Sequence, residues 1–251
     1  MERSNHKFLG LFQEKKPVIG MIHLKGESDG EVKERAKREI DIYIEQGLDG
    51  MILENYFGNY HDLEWALDYA FHAGLPVPYG VNCLDFDAMG FELAQKYRAG
   101  FVQLDSVVGH VKPINEATME AFLKLERSRC SAALIGGVRF KYQPVLSKHT
   151  VEEDLKTAME RCDGICVTQE ATGQETSMEK IRQFRNAIGD FPLIVAAGVT
   201  GENIAQQMKI CDAAIVGSYF KDTGKDSGDV SPEKVKYIVD IVRRIREGEP
   251  V

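Results

Sequence analysis

The chain has 251 residues, 43% of them hydrophobic and 28% charged, and a formal net charge of −8. That length suits a single (β/α)8 barrel, usually about 250 residues, and buries a large core without disulfides or a structural metal. The negative balance argues against a broad nucleic-acid surface, which needs positive charge against phosphate, but permits a small anion held by backbone donors.

In chain order, residues 1–16 precede the first strand, and Phe8-Leu9-Gly10-Leu11-Phe12 predicts a short helix plugging the barrel bottom. The run is too short for a membrane anchor, and no stretch approaches the ~18 apolar residues of a membrane span. From residue 17 to 251, short apolar runs alternate with amphipathic stretches, the signature of repeated βα units. Strands are expected at Val18–Leu24, Gly50–Glu54, Val77–Asn82, Phe101–Asp105, Ala132–Val138, Gly164–Thr168, Leu193–Ala197 and Ala214–Gly217. Most are nearly unbroken hydrophobic runs, as parallel strands covered on both faces require. Helices are expected at Val32–Gln46, Leu63–His72, Ala88–Tyr97, Glu116–Arg129, Val151–Arg161, Met178–Ile188, Glu202–Lys209 and Glu233–Arg246. Pro17, Pro76 and Pro192 lead into odd-numbered strands, where no ladder donor is needed. Asp49-Gly50, Ala99-Gly100, Asp163-Gly164 and Asp212-Ala213 lead into even-numbered ones, with Asp-Gly supplying a tight turn. An open doubly wound sheet is the alternative, but eight units with no composition break favour closure.

Cys83, Cys130, Cys162, Cys166 and Cys211 form no C-x-x-C pair and read as reduced, packed thiols. They imply a reducing compartment. With no long apolar leader after Met1, cytoplasm is the default expectation.

Catalytic groups of such barrels gather at the carboxyl ends of the strands. His23 ends strand one and is an acid, base or metal ligand, or else a satisfied buried histidine. Glu54 ends strand two; burial raises a carboxyl toward the useful range of a general base, unless it forms a structural ion pair with Lys141. Asn82 ends strand three and can orient substrate or hold a loop, while Asp87 can serve the site or cap the next helix. Asp105 ends strand four beside Gln103, and His23, Glu54 and Asp105 together are a conceivable divalent-ion set. Lys141, after strand five, can form a Schiff base, donate a proton or pair an anion. The loop Thr168-Gln169-Glu170-Ala171-Thr172-Gly173 follows strand six, as a lid, a part of the site or a plain connection. His61, His72, His110 and His149 fall on loops or helices and read as incidental.

The most specific signal lies at strands seven and eight. Ala197-Gly198-Val199-Thr200-Gly201-Glu202-Asn203 and Val216-Gly217-Ser218-Tyr219-Phe220-Lys221 are adjacent glycine loops. Their amides can form a phosphate cup where many barrels place one, with Lys221 adding charge; the plainer alternative is two tight turns with Thr200 as an N-cap.

With its strand ends laid out from about Lys16 to Ile241, the chain resembles the BtpA family. The carriers are Pro17-Val18-Ile19-Gly20-Met21-Ile22-His23-Leu24, Glu54-Asn55, Gly80-Val81-Asn82 with Asp87, and Lys141. Val167-Thr168 with Thr172-Gly173, Gly198-Val199-Thr200 with Glu202-Asn203, and Ile215-Val216-Gly217-Ser218 with Phe220-Lys221 complete the set. The resemblance implies a barrel with an active face of His23, Glu54, Asn55, Asn82, Asp87, Lys141, Thr168, Thr172, Gly198, Asn203, Gly217 and Lys221. Members are named for photosystem I biogenesis or for a sugar-related gene cluster. The chain departs from the family at Lys25-Gly26-Glu27-Ser28 and at Thr168-Gln169, both on the presumed substrate side.

The expectation is therefore a lyase, isomerase or hydrolase of a small phosphorylated metabolite, a sugar or nucleoside phosphate. Its phosphate would lie among Gly198, Thr200, Asn203, Gly217, Ser218 and Lys221. Glu54 acts as base, Lys141 as electrostatic partner or acid, and His23 and Asp105 orient substrate or a metal. Asn55, Asn82, Asp87, Thr168 and Thr172 contact substrate. A homo-oligomer is compatible with this. The alternative is a noncatalytic assembly factor for a membrane complex such as photosystem I.

Overall fold

Parallel pairing of short apolar strands leaves no free edge if the last strand reaches the first. The computed structural model describes residues 6–108, 116–146 and 148–250, and in it β1 to β8 form a closed parallel barrel in sequential order. The strands are β1 Val18–Ile22, β2 Gly50–Glu54, β3 Tyr79–Asn82, β4 Phe101–Leu104, β5 Ala133–Gly137, β6 Gly164–Val167, β7 Leu193–Val195 and β8 Ala213–Val216. Closure is made where Ile19 pairs with Ile215. The helices are α1 Asp29–Glu45, α2 Tyr60–Ala73, α3 Asp87–Lys96, α4 Glu116–Arg129, α5 Val151–Arg161, α6 Met178–Ile188, α7 Ile204–Gln207 and α8 Pro232–Glu247. Residues 1–5 of the N-terminal extension and His110 lie outside the described residues.

Side chains alternate across each strand, so every strand contributes one set inward and one set toward the helices. Ile19, Met21, Ile52, Phe101, Ile135, Cys166, Ile194 and Ile215 fill the barrel with Phe8 and Phe12. The two N-terminal phenylalanines lie edge-on to one another at 5.3 Å, and Phe8 meets Phe101 at the same distance. Gly80 is required here: a Cβ on it would stand 2.3 Å from the Phe101 ring. All five thiols are buried.

The acidic residues before even-numbered strands do more than turn the chain. Asp49, Asp163 and Asp212 accept from amides at the start of the neighbouring odd strands, Val18 N at 2.8 Å, Leu134 N at 2.8 Å and Leu193 N at 2.9 Å. Each is also bound by an arginine, Arg246, Arg127 and Arg185 respectively. Three quarters of the barrel bottom is thus stitched by one repeated device, which Ala99 cannot supply.

Some boundaries differ from the sequence expectation. α1 and α2 begin three residues early because Ser28 and Asn59 cap them ahead of the apolar periodicity. α7 is one turn long, Ile204–Gln207 rather than Glu202–Lys209, because Thr200–Asn203 is consumed by a preceding turn. β7 stops at Val195, two residues before the expected end, as the chain bends into Gly198 at φ +62°.

Candidate functional site

The inward face of each strand continues past its last ladder bond, and there the side chains turn polar. A cavity of about 140 Å³ opens at this end, lined by residues from β1, β2 and β4 to β8 and their following loops. His23, Glu54, Gln103 and Lys141 face Ala196, Gly198, Thr200, Gly217 and Ser218 across it, with Tyr56, Thr172 and Tyr219 at its sides.

Glu54 is 6% exposed. Its Oε1 accepts from Asn82 Nδ2 at 2.8 Å, so a proton taken up by the carboxyl belongs on Oε2. Burial pushes its pKa up to about 7; the Lys141 charge and the Asn82 hydrogen bond pull it down, and Asp105 pushes it further up. A carboxyl of that pKa exchanges protons near neutrality.

His23 lies 3.7 Å from Glu54, Nε2 to Oε2. The contact is not an ion pair at neutral pH, because burial, reinforced by the Lys221 charge, drives the His23 pKa down to about 3. His23 Nδ1 faces the Asp226 carbonyl at 3.2 Å. A carbonyl only accepts, so Nδ1 carries the hydrogen and Nε2 presents a lone pair to the cavity. The ring leans on Tyr56 at 5.1 Å.

Asp105 does not line the cavity. Its carboxyl accepts from Asn82 Nδ2 at 3.4 Å; burial raises its pKa, and the Lys141 charge, with the Asn82 and Gln103 amides, offsets part of that rise. It therefore positions the Asn82 amide rather than meeting substrate. Asn82, lying between Glu54 and Asp105, points amide hydrogens where a cation needs lone pairs. Among the described residues no three of His, Cys, Asp or Glu come together as a metal site, so His23, Glu54 and Asp105 are not one.

Lys141 lines the cavity, and among the described residues its ammonium has no ion-pair partner. Thr168 holds it there: the Thr168 hydroxyl, fully buried, accepts from Lys141 N at 2.8 Å. Thr168 is thus a brace between the β5 and β6 loops, and the ion pair of Glu54 with Lys141, the alternative to a role for Glu54 as base, is not made among the described residues. Thr172 lines the cavity and its amide donates to the Tyr142 hydroxyl at 2.9 Å.

The two glycine loops behave differently. At Gly198 a Cβ would stand 2.2 Å from the Gln174 carbonyl oxygen, so this glycine permits two backbones to cross. At Gly217 a Cβ would meet Met21 at 3.5 Å and His23 at 3.6 Å, ordinary contacts. Packing does not demand glycine there; the missing side chain leaves cavity. Asn203 clamps the β7 loop, accepting from Thr200 N at 2.8 Å and donating to Gly198 O at 2.8 Å.

Lys221 is a correction. The chain makes a 3-10 turn at Ser218–Phe220, which carries Lys221 away from the rim and buries it against α1. There its ammonium lies 3.0 Å from both oxygens of Glu39. Asn55 and Asp87 also lie off the cavity. Asn55 accepts from Leu84 N at 2.8 Å and fastens the β3 loop, while Asp87 opens α3. Gln103, Tyr56 and Asp226 complete the site, although the sequence reading assigns them no role. Only Gln103 carries a usable signal, its shared parity with Asp105 on β4.

A family model described as BtpA family matches residues 67–244. An uncharacterized protein of Pyrococcus furiosus is 29% identical over 90% of this chain and 94% of its own. The photosystem I biogenesis protein BtpA of Synechocystis sp. is 24% identical, covering 95% of this chain and 92% of its own. Among solved structures, the phosphoribosyl anthranilate isomerase of Thermus thermophilus superposes with a TM-score of 0.62 at 12% identity, over 91% of this chain and 99% of that one. That likeness is one of fold. Among the described residues no helix is long and apolar enough to cross a membrane.

Proposed function

The chain belongs to the BtpA family, and on that premise we propose that it is an enzyme acting on a small phosphorylated metabolite, a sugar or nucleoside phosphate. The observation that carries this is Glu54: a carboxyl with a pKa near 7 set in the floor of a cavity, facing glycine loops across it. A fold gains nothing from such a carboxyl at neutral pH, whereas proton transfer needs one. The phosphate sits against Gly198, Thr200, Gly217 and Ser218, where the amides opening the 3-10 turn have no partner within it. Glu54 removes a proton from the bound substrate and returns it at the end of the turnover, and Lys141 balances the negative charge that develops meanwhile. Aldol cleavage and isomerisation share this step; in hydrolysis Glu54 would take the proton from the attacking water and pass it to the leaving group. The Thermus thermophilus neighbour acts, by its name, on a phosphorylated compound, which agrees with this reading.

Replacing Gly217 with leucine fills the cup from inside without a backbone clash. Calorimetric titration with inorganic phosphate is expected to show at least a tenfold loss of affinity for Gly217→Leu, with the melting curve little changed. Equal affinity in the two proteins removes the anion cup.

The Synechocystis relative's name supports a second reading, an assembly factor that keeps the barrel as a scaffold. Such a protein is indifferent to its cavity chemistry. Complementation of a deletion strain by a Glu54→Gln, Lys141→Ala double variant is expected to fail for the enzyme and to succeed for the assembly factor.

A further inference from the structure

Gln103 is 4% exposed and lines the cavity floor from β4. Its amide lies beside Asp105 and helps to hold that carboxyl's pKa down, which turns the nitrogen end of the amide toward Asp105. The other end of the amide, Oε1, is therefore turned away from Asp105. It is buried and finds no hydrogen-bond partner among the described residues. A buried acceptor left unpaired is costly, and native proteins retain few of them.

Two further acceptors share that floor. His23 Nε2 presents its lone pair, since Nδ1 is committed to the Asp226 carbonyl, and Glu54, when ionised, offers Oε2, its Oε1 being engaged by Asn82. The three come from β1, β2 and β4, so they are spread over an arc of the floor rather than stacked at one point. Opposite them lie the glycine loops of β7 and β8.

A ligand filling this cavity must bring donors. An alkyl chain brings none, and a carboxylate, though Lys141 could hold it, brings only acceptors and leaves Gln103 Oε1 unpaired. A nucleobase edge mixes donors with acceptors, so it leaves part of the arc unmatched. A chain of hydroxylated carbons brings one rotatable donor per carbon. Building on the phosphate reading above, we infer that the substrate is a sugar or polyol phosphate, and that one of its hydroxyls donates to Gln103 Oε1. Gln103 is then the residue that tells a hydroxylated carbon from a bare one, since a site built to bind a hydroxyl discriminates strongly against its absence.

Calorimetry with matched probes tests this. Triose, pentose and hexose monophosphates are set against propyl, pentyl and hexyl phosphate, with inorganic phosphate and AMP as references. At least one sugar phosphate is expected to bind tenfold or more tighter than its alkyl partner and than AMP. Gln103→Met, close in size, is expected to erase that preference while leaving inorganic phosphate affinity within about twofold, which also reports that the variant is folded. If Gln103→Met does not fold, deoxy analogues of the preferred sugar phosphate serve on the unaltered protein: loss of one hydroxyl is expected to cost tenfold or more, and the inference is overturned if no deoxygenation does so. Inorganic phosphate binding with no sugar phosphate preferred, with AMP preferred, or with a preference that survives Gln103→Met overturns the inference and leaves the phosphate cup standing. Sugar phosphates binding through Gln103 while inorganic and alkyl phosphates do not bind leaves the inference standing and removes the cup. No binding by any probe removes both.

Discussion

Glu54→Gln is expected to stabilise the protein by about 3 kcal/mol at pH 8. The Glu54 pKa rises from an ordinary 4.5 to about 7 on folding, and each unit is worth about 1.4 kcal/mol of preference for the protonated form. Above pH 7 the fold therefore carries a buried charge that an uncharged amide avoids. The amide also fits: its oxygen still accepts from Asn82 Nδ2, and its nitrogen takes the position of Oε2, facing the His23 Nε2 lone pair. For a chain of this size the gain corresponds to roughly 6–12 °C in Tm. A variant that loses proton transfer while gaining stability is the usual signature of a group kept for chemistry.

The same pair of residues sets opposite slopes of stability against pH. Glu54 has a raised folded pKa, so its contribution is fully present below pH 4.5 and is lost as pH climbs to about 7. His23 has a depressed folded pKa, so its contribution is present above 6.5 and is lost as pH falls toward 3. Between 4.5 and 6.5 the two nearly cancel. Glu54→Gln uncovers the His23 slope, and stability then rises with pH from about 3 to 6.5; His23→Gln uncovers the Glu54 slope and reverses the sign between 4.5 and 7. Urea melts of the three proteins from pH 3 to 8 read this directly. Parallel curves for wild type and Glu54→Gln would show that Glu54 titrates normally and is no acid or base.

How much of the site is legible in the sequence depends on which physical rule places each residue. The barrel is legible because parallel strands buried on both faces must be apolar throughout, and the eight apolar runs fall where the strands lie. Glu54 and His23 are legible because a polar residue ending an inward apolar run has only the rim to occupy, and Lys141 because the loop after β5 must open at the same rim. Lys221 is not, since parity along β8 ends at Val216 and a 3-10 turn rotates the residues beyond it by an amount that no period encodes. Gly198 and Gly217 look alike as letters. Only the crossing of Gln174 over one of them, and open space beside the other, separates a packing glycine from a cavity glycine. The Asp226 carbonyl that fixes His23 belongs to the backbone, where residue identity leaves no trace.

Lys221→Met is expected to destabilise the protein by about 3–5 kcal/mol, the usual cost of stranding one member of a buried ion pair. Lys221 is 1% exposed and Glu39 only 3%, so water cannot replace the lost partner. Arg35 lies 3.5 Å from Glu39 but is already held by Asp229 and by the Gly228 carbonyl. Removing both charges, with Glu39→Met added, is expected to recover most of the loss, because two apolar side chains of similar size carry no desolvation penalty. A double-mutant cycle in urea measures the coupling; a single-variant cost below about 1 kcal/mol would mean that Arg35 takes over the role. The consequence reaches the cavity. Lys221 pairs with Val230 across the base of the β8 loop, and that loop delivers the Asp226 carbonyl to His23 and the Ser227 carbonyl to Lys25. Loosening the anchor frees the His23 ring to change tautomer, and losing the Lys221 charge lets its pKa rise from about 3. His23 in Lys221→Met is therefore expected to titrate at higher pH in its ring proton resonances, a shift that a loss of packing alone, away from the cavity, would not produce.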